Sequence, residues 1–154
     1  MHRNDVKFNL GFTGIDSFIS SAKFTFDVSR YQHQELVDTD IGTTFKNNLF
    51  SYRGMFDQRQ AGKLSGRFGF EGFHRNYSTV GNEILINGPV KQNTFSGFAL
   101  EELKYERVTF QFGGRVENNR YTPVDTSLLK RNFTGFSGSA WRKVRIVARR
   151  CFCC

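Results

Sequence analysis

The residues with the widest chemical repertoire in this chain are its histidines, its cysteines and its paired acids. His2, His33 and His74 lie far apart. His33 has Asp38 and Asp40 close along the chain, and His74 has Glu83. Imidazole and carboxylate donors suit capture of a metal or a metal chelate. His33, Asp38, Asp40, His74 and Glu83 are therefore the candidate ligand-binding residues, all read as loop positions. No resident metal site and no cofactor is expected. Cys151, Cys153 and Cys154 stand as Cys-Phe-Cys-Cys, which lacks zinc-knuckle spacing and has no nearby histidine. Glu101 and Glu102 are adjacent, so in a strand they point to opposite faces and do not form an acid/base dyad. No nucleophile elbow and no GxGxxG loop occurs, and no catalytic residue or enzyme activity is expected. Asn76-Tyr-Ser and Asn132-Phe-Thr match the glycosylation sequon, a pattern frequent by chance.

The elements that must position these residues have a period of two. Val6, Phe8, Leu10 and Phe12 alternate with Lys7, Asn9, Gly11 and Thr13. Ala22, Phe24, Phe26 and Val28 alternate with Lys23, Thr25, Asp27 and Ser29. Phe50, Tyr52, Gly54 and Phe56 oppose Ser51, Arg53 and Asp57, with Met55 out of pattern. Leu64, Phe68 and Phe70 oppose Ser65, Arg67 and Glu71. A fifth, less regular bout starts at Phe98 and Leu100 and runs through Tyr105. Val108, Phe110, Phe112 and Val116 oppose Thr109, Gln111, Arg115 and Glu117. The seventh, Phe133 to Ala140, is rich in Gly and Ser. Side chains alternate faces along a strand, so each bout reads as a β-strand with one apolar and one polar face. Residues 101–107 have helix-forming composition but are too few to hold a helix between two strands. The expected fold is all-β, an antiparallel up-and-down meander of about seven strands.

The intervening segments alternate in length: 14–17, 31–43, 58–63, 74–93, 104–107 and 118–131. Short turns at one end and long loops at the other are the pattern of a transmembrane barrel. Composition is compatible with that. The 154 residues include 18 Phe, and no apolar run approaches the roughly 18 residues of a membrane-spanning helix. The net charge of +8 is unevenly placed. Arg142, Lys143, Arg145, Arg149 and Arg150 supply five of those eight charges, so the body is nearly balanced.

The stretch Gln92 to Pro123, QNTFSGFALEELKYERVTFQFGGRVENNRYTP, resembles a barrel hairpin of TonB-dependent outer-membrane receptors. There, a strand of the type Phe98 to Glu102 turns tightly into a strand ending as Gly113, Gly114, Arg115, Val116 and Glu117 do here. A long loop then opens near Tyr121 and Pro123. Asn132 to Ala140, NFTGFSGSA, is similar to the following strand. The resemblance covers residues 6–140. It implies that the sheet is an open segment of a 22-stranded barrel in the outer membrane, surrounded by lipid. It implies active uptake of a scarce small ligand of the metal chelate, siderophore or cobalamin class. Energy would come from the TonB system through a plug domain. No signal peptide, energy-coupling box or plug is visible in this chain, and the alternation gives way after Ala140. Residues 1–140 are thus expected to be a partial barrel. Residues 141–154 are expected to be a basic, Cys-containing tail outside it, of the kind a shifted reading frame produces. Such a piece is not expected to transport on its own.

A second reading remains open. Gly66 to Phe73, GRFGFEGF, is similar to the aromatic strand of RNA-recognition and cold-shock domains, whose exposed rings stack on bases. A soluble β-domain would then bind single-stranded nucleic acid through Phe68 and Phe70, with Arg67 as the basic contact. The residue order departs from that pattern, and nucleic acid is not the expected partner.

Overall fold

The structure, a computed structural model, describes residues 1–81 and 88–144. Its seven strands are β1 (His2–Thr13), β2 (Ile19–Val37), β3 (Asp40–Gln58), β4 (Leu64–Gly81), β5 (Val90–Tyr105), β6 (Val108–Pro123) and β7 (Arg131–Val144). They form one sheet in sequence order, β1 to β7, each pairing antiparallel with the next. The sheet is not closed: β1 pairs only with β2, and β7 only with β6. The described residues contain no helix.

Register shows what the alternation achieves. Phe8 lies opposite Phe26, Phe26 opposite Tyr52, and Tyr52 opposite Gly72. Leu10, Phe24, Gly54 and Phe70 form the next row on that face, and Phe12, Ala22, Phe56 and Phe68 the row after it. Aromatic rings meet across the strands, with Phe56 stacked on Phe68 at 5.2 Å and edge-on to Phe24 at 5.6 Å. Glycine makes room for them. A Cβ on Gly54 would come within 2.7 Å of the Phe70 ring, and one on Gly72 within 2.6 Å of the Tyr52 hydroxyl.

Among the described residues nothing covers this face. Among the described residues Ala22 is the only buried hydrophobic one, while Phe8 is 58%, Phe95 54% and Phe112 52% exposed. The accessible surface is 11672 Å², whereas a globular chain of 17.8 kDa exposes roughly 8,000 Å². A sheet normally buries one face against a second layer. This one has a single layer and no core.

Three expectations are corrected by the register. The segment 31–43 is not a long loop. β2 runs to Val37 and β3 starts at Asp40, so Asp38 and Thr39 alone make the turn, with Asp38 at φ 57°. The segments 74–93 and 118–131 shrink for the same reason, since β4 continues to Gly81 and β6 to Pro123. Here both faces are polar, so the strands continue without an apolar alternation to reveal them. The fifth bout also has its faces reversed. Phe98 pairs with Gly69 and Arg115 on the polar face, while Phe95, Gly97, Ala99 and Leu103 share the apolar one. Finally, the boundary at residue 140 falls inside β7, where Trp141 to Val144 pair with Gln111 to Val108. The rest of the expected tail, with Cys151, Cys153 and Cys154, lies outside the described residues.

The end of the sheet carrying the connections 14–18, 59–63 and 106–107 is tied together. The Arg59 guanidinium donates to the Ile15 carbonyl at 2.6 Å and pairs with Asp16 at 3.2 Å. The Arg59 amide donates to the Phe18 carbonyl at 2.7 Å. Lys63 places its ammonium 4.3 Å from the Tyr105 ring centre.

Candidate functional site

The polar face holds a charge ladder built from strand register. Arg53, Glu71, Ser96 and Glu117 occupy one row across β3 to β6. Met55, Gly69, Phe98 and Arg115 occupy the next. Arg115 spans both rows, donating to Glu71 at 2.6 Å and to Glu117 at 2.6 Å. Arg53 reaches the other Glu71 oxygen at 3.5 Å and lies over the Phe98 ring at 5.5 Å. Asn119 donates to Glu117 at 2.6 Å. Beside this network, Asp57 accepts from Ser21 at 2.6 Å and from Arg67 at 2.5 Å. Ser96, 1% exposed, donates to the Glu71 carbonyl at 3.4 Å.

These side chains sit between surface and interior in exposure, about 30 to 35% for Glu71, Arg115 and Glu117. They suit the wall of a hydrated passage: charges of both signs, oriented by neighbours, open to a polar solute. The arrangement offers charged donors and acceptors that can bind a polar solute. Glu71 is the hub, since two guanidiniums share its carboxylate. Replacing it by glutamine (Glu71→Gln) leaves Arg53 and Arg115 side by side with half their compensation. The expected cost in folding free energy is about 1 kcal/mol, reduced at high salt. Denaturant unfolding of the detergent-solubilised chain measures it.

The sequence candidates do not gather into one site. His33 lies on β2, on the polar face, stacked on Phe45 at 4.4 Å with its Nε2 3.7 Å from Glu35. The acid beside His33 is thus Glu35, while Asp38 lies in the exposed β2–β3 turn and Asp40 opens β3. His74 lies on β4, on the opposite, apolar face, in the row with Phe50 and Asn93, and its Nδ1 is 2.7 Å from Asn93 Oδ1. Glu83 is outside the described residues. Among the described residues no three His, Cys, Asp or Glu side chains come together as a metal set. A shallow depression of about 220 Å³ does form around His74, lined by Tyr52, Asn93, Phe95, Asn118 and Arg120. Nothing local in the sequence pointed to it, because its members come from four strands. The register also separates the members of the nucleic-acid reading. Phe68 and Phe70 are on the apolar face, while Arg67 is on the other and paired with Asp57. Arg67 cannot contact a base stacked on those rings.

The connection 124–130 has its own order. Asp125 accepts from the Ser127 amide at 2.8 Å. The Ser127 hydroxyl first, and this amide second, hold the Asp125 carboxyl below the usual carboxylate range. A depressed folded-state pKa means that the turn is stabilised above the ordinary carboxylate range and loosens as pH falls through the lowered value. The expected result is a Ser127 amide resonance that shifts with this titration, with Ser127→Ala moving the midpoint up towards the ordinary carboxylate value.

No protein-family model matches the chain, and no curated protein matches it.

Proposed function

We propose that this chain forms part of the wall of an outer-membrane β-barrel of the TonB-dependent receptor type, which takes up a scarce ligand such as a metal chelate, siderophore or cobalamin. The observation that carries the reading is the single-layer sheet with one uncovered apolar face and no core. Water is a poor solvent for that face. Hydrocarbon is a good one, and strands cross it with every backbone group paired inside the sheet. Lipid is then the partner of the Phe-rich face. The ladder around Glu71 faces the lumen, where a polar solute would pass. The connections 38–39 and 124–130 lie on the extracellular side, and the tied end faces inward. In this reading the seven strands are one arc of a wider wall, because the edges of β1 and β7 must be paired before lipid can surround them. Energy coupling belongs to a plug inside the closed barrel. The motif from Phe98 to Pro123 supports the family assignment, and the continuous β5–β6 hairpin fits it.

Single-cysteine scanning along β2, in a background with the native cysteines replaced by serine, tests this. In reconstituted bilayers, Phe24→Cys, Phe26→Cys and Val28→Cys should react with a lipid-soluble maleimide. Lys23→Cys, Thr25→Cys and Asp27→Cys should react with a membrane-impermeant one. Uniform labelling of all six by the water-soluble reagent would sink the reading.

A further inference from the structure

The apolar face changes character toward the end that carries Gly81, Val90 and the connections 38–39 and 124–130. Asn4, Arg30, Asn48, Asn76, Lys91 and Thr122 form one row there. Below it, His74, Asn93 and Arg120 share a row, and above it Gln32 and Lys46 pair. Arg30, Lys46, Lys91 and Arg120 are all exposed. Among the described residues, none of them makes an ion pair. On the polar face Arg3, Arg53, Arg67 and Arg115 each pair with an acid, although among the described residues Lys7 and Lys23 there make no ion pair either. The reason is the distribution of acids. Asp5, Asp27, Glu35, Asp57, Glu71, Glu102 and Glu117 all fall on the polar face of the ladder. On the apolar face Glu101 lies at the opposite end beside Leu64 and Leu103, and Asp40 stands outside these rows, opposite Val37 at the β2–β3 turn.

We propose that this unpaired cationic collar, which includes the depression around His74 and Arg120, is a docking surface for the anionic phosphate headgroups of the surrounding lipid leaflet. The argument is charge complementarity at a fixed height. A band of rings buried in acyl chains puts the next rows of the same face at headgroup level. Those rows offer cations, amides and imidazole but no carboxylate. Arg30 and Lys91 stand three strands apart in one row, roughly 14 Å at the usual strand spacing, so the collar meets several headgroups at once. Each cation near an anionic surface contributes roughly fivefold in partitioning, and the effect is screened by salt. The proposal rests on the membrane reading of the sheet.

The test offers the full chain, refolded in neutral detergent, to vesicles of phosphatidylcholine alone or of phosphatidylcholine with phosphatidic acid. Stronger incorporation into the anionic vesicles is expected. The quadruple variant Arg30→Gln, Lys46→Gln, Lys91→Gln, Arg120→Gln should lose that preference. A control with the same charge loss on the polar face, Lys7→Gln, Lys23→Gln, Arg131→Gln, Lys143→Gln, should keep it. The single variants Lys91→Gln and Arg120→Gln should each lose roughly fivefold, so the result survives if the quadruple variant folds badly. Equal incorporation into both vesicles overturns the collar while leaving the membrane reading in place. Failure to enter either kind overturns the collar as a lipid-docking surface. Inorganic phosphate that competes as well as the lipid overturns it too, and makes the depression a site for free phosphate.

Discussion

Removed from detergent into aqueous buffer, the chain self-associates: it leaves a sizing column in the void volume or precipitates, whereas in a mild detergent it runs as one β-rich species. The cause is geometric. A chain of this mass with a core hides its phenylalanines, but here Phe50 is 42%, Phe112 52% and Phe136 82% exposed. Withdrawing each 1,000 Å² of apolar surface from water is worth roughly 25 kcal/mol as an upper estimate, which exceeds the whole stability of an ordinary domain. No arrangement of seven strands in one layer can recover that alone. A second sheet face, a micelle or a bilayer must cover the rings. The unpaired edges of β1 and β7 act in the same direction, since each offers a row of free backbone groups to another copy. A protease-resistant monomer in detergent-free buffer would defeat the membrane reading, because it would require the apolar face to be buried within one chain.

How much of this was legible in the sequence depended on whether the two faces differed. From Val6 to Phe12, and from Ala22 to Val28, large apolar side chains alternate with polar ones, and the strands were plain. Beyond Val28 the stretch Ser29 to Glu35, SRYQHQE, is polar at every position but Tyr31, so a strand and a loop look alike there. The ladder nevertheless continues, because backbone pairing between β2 and β3 needs no apolar face. That is why His33, expected in a loop, sits in a strand. β5 failed for a different reason. Its apolar face uses Gly97 and Ala99, while the ring between them, Phe98, is on the polar side, where a Cβ on Gly69 would come within 2.8 Å of it. Size complementarity between neighbouring strands decided the face, and that information is not local. The charge network was hidden likewise. Arg53, Glu71 and Arg115 are distant in sequence and meet only once the register of three strand pairs is fixed.

The same face assignment makes a sharper prediction at two neighbouring residues. Phe26 and Thr25 are consecutive in β2, close to the middle of the apolar band. Phe26 lies between Phe8 and Tyr52 on the apolar face. Thr25 points the other way, donating to Asn9 at 2.9 Å, in the row that contains Arg53 and Glu71. Phe26→Arg, in lipid, should lower folding stability by about 2 to 4 kcal/mol, because a guanidinium is placed in hydrocarbon. Thr25→Arg should cost under about 1 kcal/mol, because a new cation there stays in water, which screens its repulsion from the facing Arg53. Reversible denaturant unfolding in bilayers reads both. The contrast separates the two media on either side of one strand. In a soluble sheet Phe26, 39% exposed, would face water, and an arginine there would cost little more than one at Thr25. Equal costs would therefore move the apolar face out of the membrane, whereas a gap of 2 kcal/mol or more requires that the medium outside Phe26 dissolve charge poorly while the medium outside Thr25 dissolves it well.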